Sequence, residues 1–151
     1  MGQKVNPIGL RLALNKNWSS HWFARKDNKN NFGDWLHEDL KIRSYIKKNF
    51  NNAAISKILV ERYGTRVRVT IYAARPGILI GRKGAELDAL KASVSKLLAQ
   101  GEELILDVVE IKQPETNAQL VAESVAQQLE RRIGFRRAMK KAIQVAMELG
   151  A

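Results

Sequence analysis

Residues 75–90 read RPGILIGRKGAELDAL: an apolar run, then Gly81-Arg82-Lys83-Gly84, then a helical pattern. This stretch limits the path of the chain more than any other. Glycine has no Cβ, so the backbone at Gly81 and Gly84 can turn sharply and lets a sugar-phosphate chain come close to its N–H groups. Arg82 and Lys83 supply positive charge. A helix beginning near Gly84 would aim its unpaired N–H groups and the positive end of its dipole at the same place. The loop reads as a phosphate cradle.

A G-x-x-G pair says little by itself, because glycine at about 7% of residues produces one in roughly every second chain of this length. Its flanks supply the context. Residues 65–73 alternate, with Val67, Val69 and Ile71 on one face and Arg66, Arg68 and Thr70 on the other, the pattern of a half-buried strand. Pro76 suits the first turn of a short helix, PGILIG. Beyond the loop Leu87, Leu90, Val94, Leu97 and Leu98 recur at helical spacing. Strand, short helix, G-R-K-G and helix form the context of a KH-type RNA-binding module. The plain alternative is a solvated basic turn between two helices.

The rest of the chain extends this pattern. Asp34 is placed to cap a helix whose stripe is Trp35, Leu36, Leu40, Tyr45, Ile46 and Phe50. Strands at 55–63 and 65–73, joined tightly at Gly64, fit an antiparallel hairpin. Gly101 is expected to stop the helix that follows the loop, and 104–111 reads as a third strand. The expected fold is α+β: a three-stranded sheet with helices packed on one face, over residues 34–151. Residues 1–33 read as an irregular basic N-terminal arm with Lys4, Arg11, Lys16, Arg25, Lys26 and Lys29, and an Asn-rich run at 27–31. Its WSSHWF segment at 18–23 suits base stacking or partner docking. Anchoring of the arm is favoured instead, because aromatics mostly serve burial.

Charge is segregated along the chain. Of a net +11, residues 101–130 hold seven acids against Lys112, whereas 131–151 hold six cations against Glu148. Segregated positive charge favours a polyanion, most commonly nucleic acid. After Gln113-Pro114 and an Asn117 cap come two C-terminal helical segments. The first carries Leu120, Val121, Val125, Leu129 and Ile133 on one face. In the second, Phe135, Met139, Ala142, Ile143, Ala146 and Leu149 share an arc of about 120°, and Arg136, Arg137, Lys140 and Lys141 an arc of about 140°. With Arg131 and Arg132 these cations make a ridge, and no acid lies between Arg131 and Lys141 to neutralise it. A solvated helix face is the ordinary reading of such a run; the missing counter-charges favour polyanion binding. The Ala- and Met-rich apolar side does not suit a membrane surface.

Nothing in the sequence calls for catalysis, a metal or a cofactor. Cysteine is absent, and His21 and His37 lie in different segments without metal-ligand spacing. There is no G-x-S-x-G and no G-x-x-x-x-G-K-[ST], so the loop is not a nucleotide-hydrolysing one. Asp107 and Glu110 would point to opposite faces of their strand. No apolar run approaches the roughly 20 residues of a membrane span, and the start MGQKVNPIG lacks a secretory stretch. A reducing, cytoplasmic setting is expected.

Three separated motifs, MGQKVNPIGLRL, ARPGILIGRKG and QLERRIGFRRAMKKAIQVAMELGA, closely resemble the amino-terminal KH domain of the bacterial-type small-subunit ribosomal protein S three family. The resemblance runs through essentially all 151 residues. It implies a type II KH fold, binding to small-subunit ribosomal RNA in the head of the subunit, and a place beside the channel through which messenger RNA enters. Gly81, Arg82, Lys83 and Gly84 match the family's KH loop. Arg136, Arg137 and Lys140 match basic positions that line the channel and help open structured messenger. Family members normally continue past ELGA into a β-rich domain that reaches the tenth and fourteenth small-subunit proteins, and contacts with those neighbours are expected through that domain. Two rivals remain: a nonribosomal KH protein acting as an assembly factor or translational regulator, and an enzyme cleaving damaged nucleic acid, for which no catalytic constellation exists.

Overall fold

The computed structural model describes residues 2–24, 32–98 and 101–150. In chain order its elements are α1 (Pro7–Leu10), β1 (Ser20–His21), α2 (Phe32–Asn49), β2 (Ile55–Tyr63), β3 (Arg66–Ala73), α3 (Pro76–Ile80), α4 (Ala85–Ser95), β4 (Glu103–Glu110), α5 (Ala118–Glu130) and α6 (Phe135–Glu148). The sheet order is β1-β2-β3-β4. The hairpin β2–β3 is antiparallel, as its tight turn requires. β3 and β4 are parallel, and α3 with α4 supply the crossover that parallel neighbours need. The expected three strands are present, but the sheet has a fourth: the two-residue β1 pairs parallel with β2, Ser20 against Val60 and His21 against Glu61.

Alternation on the strands puts one row of side chains in the core. Val60 lies opposite Val69 and Ile58 opposite Ile71, while Val67 and Val69 oppose Leu104 and Leu106 across the parallel ladder. Onto this face pack Ile42 and Ile46 of α2, Leu79 of α3, and Leu90 and Val94 of α4. The other face is polar, with Arg66 paired to Glu103 at 3.0 Å and Arg68 to Asp107 at 3.5 Å.

Several boundaries and faces differ from expectation. α2 opens at Phe32, so Asp34 lies in its first turn and favours the dipole there instead of capping. Its inward line is Asp39, Ile42 and Ile46, whereas Leu36 and Leu40 face solvent. α4 ends at Ser95, ahead of Gly101, because Leu97 N–H and Leu98 N–H close tight bonds to the carbonyls of Val94 and Ser95. Asn117 caps α5 as expected, its Oδ1 accepting from the N–H groups of Gln119 and Leu120. On α6 the packed line is Ala138 with half-buried Ala142, Val145 and Ala146. Phe135, Met139, Ile143, Met147 and Leu149 are exposed. Small side chains let the helix approach its neighbours, and that turns the bulky apolar residues outward.

The amino-terminal segment is fastened through one buried carboxylate. Asp39 is fully buried; its Oδ2 accepts from Ser20 Oγ and Trp22 Nε1, both at 2.8 Å, and its Oδ1 from Arg62 Nη2 at 2.9 Å and Nε at 3.3 Å. Arg62 also pairs with Glu38 at 2.9 Å and Glu102 at 3.3 Å and lies 5.4 Å from the Trp35 ring centroid. Arg43 donates to Ser19 O and Ser20 Oγ, and burial pushes its pKa down while Asp39 opposes that. Trp22 stacks edge-on against Trp35 and tilted against Phe32. Anchoring therefore describes Trp22, while Trp18 and Phe23 stay exposed.

Candidate nucleic-acid interface

The G-R-K-G loop adopts the bend that its glycines permit. Gly81 has φ 68°, Lys83 φ 55° and Gly84 φ 84°, so three of its four residues lie in the left-handed region, and Arg82–Gly84 forms a single tight turn. Gly84 is the N-cap residue of α4 and supplies no side-chain bond to its first turn. Ala85 N–H donates to Arg82 O, and the N–H groups that follow it have no side-chain cap, the arrangement in which a helix start can meet an acceptor from outside. Arg82 and Lys83 are exposed beside them and form no ion pair among the described residues. Glu86 and Asp88 occupy the same first turn and partly offset the positive charge.

The cationic ridge wraps a corner. Arg131 caps the end of α5, Arg132 takes φ 61°, and Arg136, Arg137, Lys140 and Lys141 follow on α6. All six are exposed, and among the described residues none has a carboxylate within 4.0 Å. Arg136 lies over the Phe135 ring at 5.7 Å.

Lys4, Arg11 and Lys16 sit on the segment around α1, which contains no buried residue. Asn6 Oδ1 caps that short helix, and Arg11 Nη1 donates to Pro7 O within it. Arg25, Lys26, Lys29 and the Asn-rich run lie outside the described residues.

A cleft of about 370 Å³ opens between α5 and α6, reaching the ends of β2 and β3. Arg75 and Lys141 are on its lining with Ser124 and Gln128. Sequence reading missed Arg75, since a lone cation before Pro76 carries no pattern. No helix among the described residues is long and apolar enough to cross a membrane, and no described group of His, Cys, Asp or Glu could hold a metal ion. His21 instead faces Glu61 at 3.4 Å.

Residues 41–116, from within α2 past β4, match the family described as KH domain. The chain belongs to the KH domain family. Its order of elements from α2 to β4 is the α+β arrangement expected of this family's type II members. Over all 151 residues the chain is also similar to small ribosomal subunit protein uS3 of Caulobacter vibrioides at 56% identity, covering 58% of that protein. It is 54% identical to uS3 of Beijerinckia indica, covering 61% of it, and 53% identical to uS3 of Akkermansia muciniphila, covering 65%. The match falls on the amino-terminal part of uS3. The KH-domain chain thus spans about three-fifths of the length of the curated relatives it matches.

Proposed function

We propose that this chain is an RNA-binding constituent of the small ribosomal subunit, acting in the cytoplasm and not as an enzyme. The observation that carries the reading is the loop: three left-handed residues, two cations without an ion pair among the described residues, and a helix start without a side-chain cap, inside a KH domain. Similarity to part of uS3 over all 151 residues of this chain supports ribosomal RNA of the small subunit as the ligand. In this reading Gly81, Arg82, Lys83 and Gly84 hold a single-stranded backbone, and Lys4, Arg11 and Lys16 anchor to ribosomal RNA. Residues 1–33 serve as the arm and 34–151 as the domain.

The ridge has a second role in the proposal. Arg131, Arg132, Arg136, Arg137, Lys140 and Lys141 attract phosphates without reading sequence, and Arg136, Arg137 and Lys140 face messenger RNA where it enters the subunit. Their likeness to the FRRAMK motif and their lack of counter-charge support this. The tenth and fourteenth small-subunit proteins would be neighbours through a further domain of longer relatives.

Sedimentation of a lysate on a sucrose gradient tests the placement. Comigration of the chain with small subunits, in salt that strips loosely bound protein, is the expected result. Residence in light fractions with free RNA would instead make it a nonribosomal KH regulator.

A further inference from the structure

The cleft between α5 and α6 carries one cation on each side, Arg75 and Lys141. Arg75 immediately precedes α3, whose far end is the G-R-K-G loop, and Lys141 belongs to the ridge. Each contributes to the lining, and neither is in an ion pair among the described residues. Glu115 is the only carboxylate among the described residues on that lining. The walls between are apolar, formed by Val121 of α5 and Ala142 and Val145 of α6. At about 370 Å³ the cleft is at the small end of ligand-sized cavities, which run from roughly 300 to 1,000 Å³.

Polar groups also converge here. Gln128 Nε2 donates to Ser124 Oγ at 3.4 Å, which leaves the Gln128 carbonyl and the Ser124 hydroxyl proton without a partner among the described hydrogen bonds. An acceptor beside a donor, set against apolar walls, matches the hydrogen-bonding edge and flat face of a nucleobase. Cations at the rim match the phosphates on either side of it.

We propose that this cleft receives one unstacked base of a bound single-stranded RNA, with Arg75 and Lys141 taking the flanking phosphates. The inference rests on the RNA-binding reading and adds a base pocket separate from the G-R-K-G loop. It makes the strand run from the loop, through the cleft, to the ridge.

Fluorescence anisotropy with a fluorescein-labelled single-stranded RNA of about ten nucleotides tests it. Ala142→Trp fills the cleft without altering charge. It should weaken binding about five- to tenfold, the low end of what one stacked base contributes, while the salt slope stays that of the unmodified chain. An abasic strand of the same length should bind both proteins equally. Ser124→Ala with Gln128→Ala changes only polar side chains on the lining. It should narrow the difference in affinity between adenine and uracil strands even if the tryptophan variant folds poorly. Unchanged affinity with the filled cleft and unchanged base preference with the double variant would overturn the pocket and leave the RNA-binding reading standing. Failure of the unmodified chain to bind the strand would overturn both. Adenosine monophosphate binding as tightly as the strand would make the ligand a soluble nucleotide and overturn the assignment to RNA.

Discussion

At Gly81 a methyl group would have nowhere to go. A Cβ there would lie 2.7 Å from the Cβ of Glu86, with φ at 68°, whereas at Gly84, φ 84°, a Cβ would meet open space. The two glycines of one motif thus serve different ends: Gly81 allows chain to pack on chain, and Gly84 leaves room for something outside the protein. Gly84→Ala should cost about 1 kcal/mol, the strain of a left-handed alanine, and Gly81→Ala distinctly more because the start of α4 must also shift. Urea unfolding of the two variants checks the order. Asp39 is a different kind of residue, a fully buried carboxylate. Asp39→Ala leaves buried Arg62 short of a partner and frees Ser20 and Trp22, and should cost about 3–5 kcal/mol. Urea midpoints and tryptophan emission would record it, and a loss under 1 kcal/mol would mean that Arg62 is satisfied by Glu38 and Glu102 alone. The motif was legible because glycine and cations are local signals. Asp39 was not, since its burial depends on Ser20, Trp22 and Arg62, each well removed along the chain.

Among the elements, the strands were the most readable and the helices the least. β2 and β3 declared themselves by alternation and a glycine turn, and Val67, Val69 and Ile71 are all buried. Periodicity on α6 marked an apolar arc but not which part of it packs: Ala138 is buried while Ile143 is 65% exposed. An apolar stripe says that a face exists, and only the neighbouring helix decides which side chains fit beneath it. β1 was missed because two residues cannot show a period. The cations on these elements give two separable expectations. Arg136→Ala, Arg137→Ala and Lys140→Ala together should make the log-log salt dependence of RNA binding shallower by about 2, at about 0.7 per phosphate on a single strand; an unaltered slope would return the ridge to ordinary solvation. Arg82→Asp with Lys83→Asp should weaken the same binding at least tenfold, about 1.4 kcal/mol, with unchanged circular dichroism. Equal affinity at moderate salt would remove the loop from the interface.

Across the whole molecule, charge separates into an inner and an outer set. The surface carries the cations that form no ion pair among the described residues, while Arg62 sits inside among Glu38, Asp39 and Glu102. Burial raises the Glu102 pKa, Arg62 opposes that, and Glu38 and Asp39 push it further up. The folded protein therefore holds that proton more tightly than the unfolded chain does. Stability from this group is lost as pH rises from the ordinary carboxylate range through the raised value. Melting temperatures of the unmodified chain and Glu102→Gln, followed from about pH 4 to about pH 7, should diverge, the variant gaining on its parent as pH rises; parallel curves would mean that Glu102 is not linked to folding. Overall charge and the order of elements could be read from the chain, but this inner cluster joins α2, β2 and the approach to β4, which only the fold assembles. The same cluster orders events in time. Ser20 and Trp22 are synthesised before Asp39 and Arg62, and Glu102 follows later still, so these two early residues have nothing to dock on until much of the sheet exists.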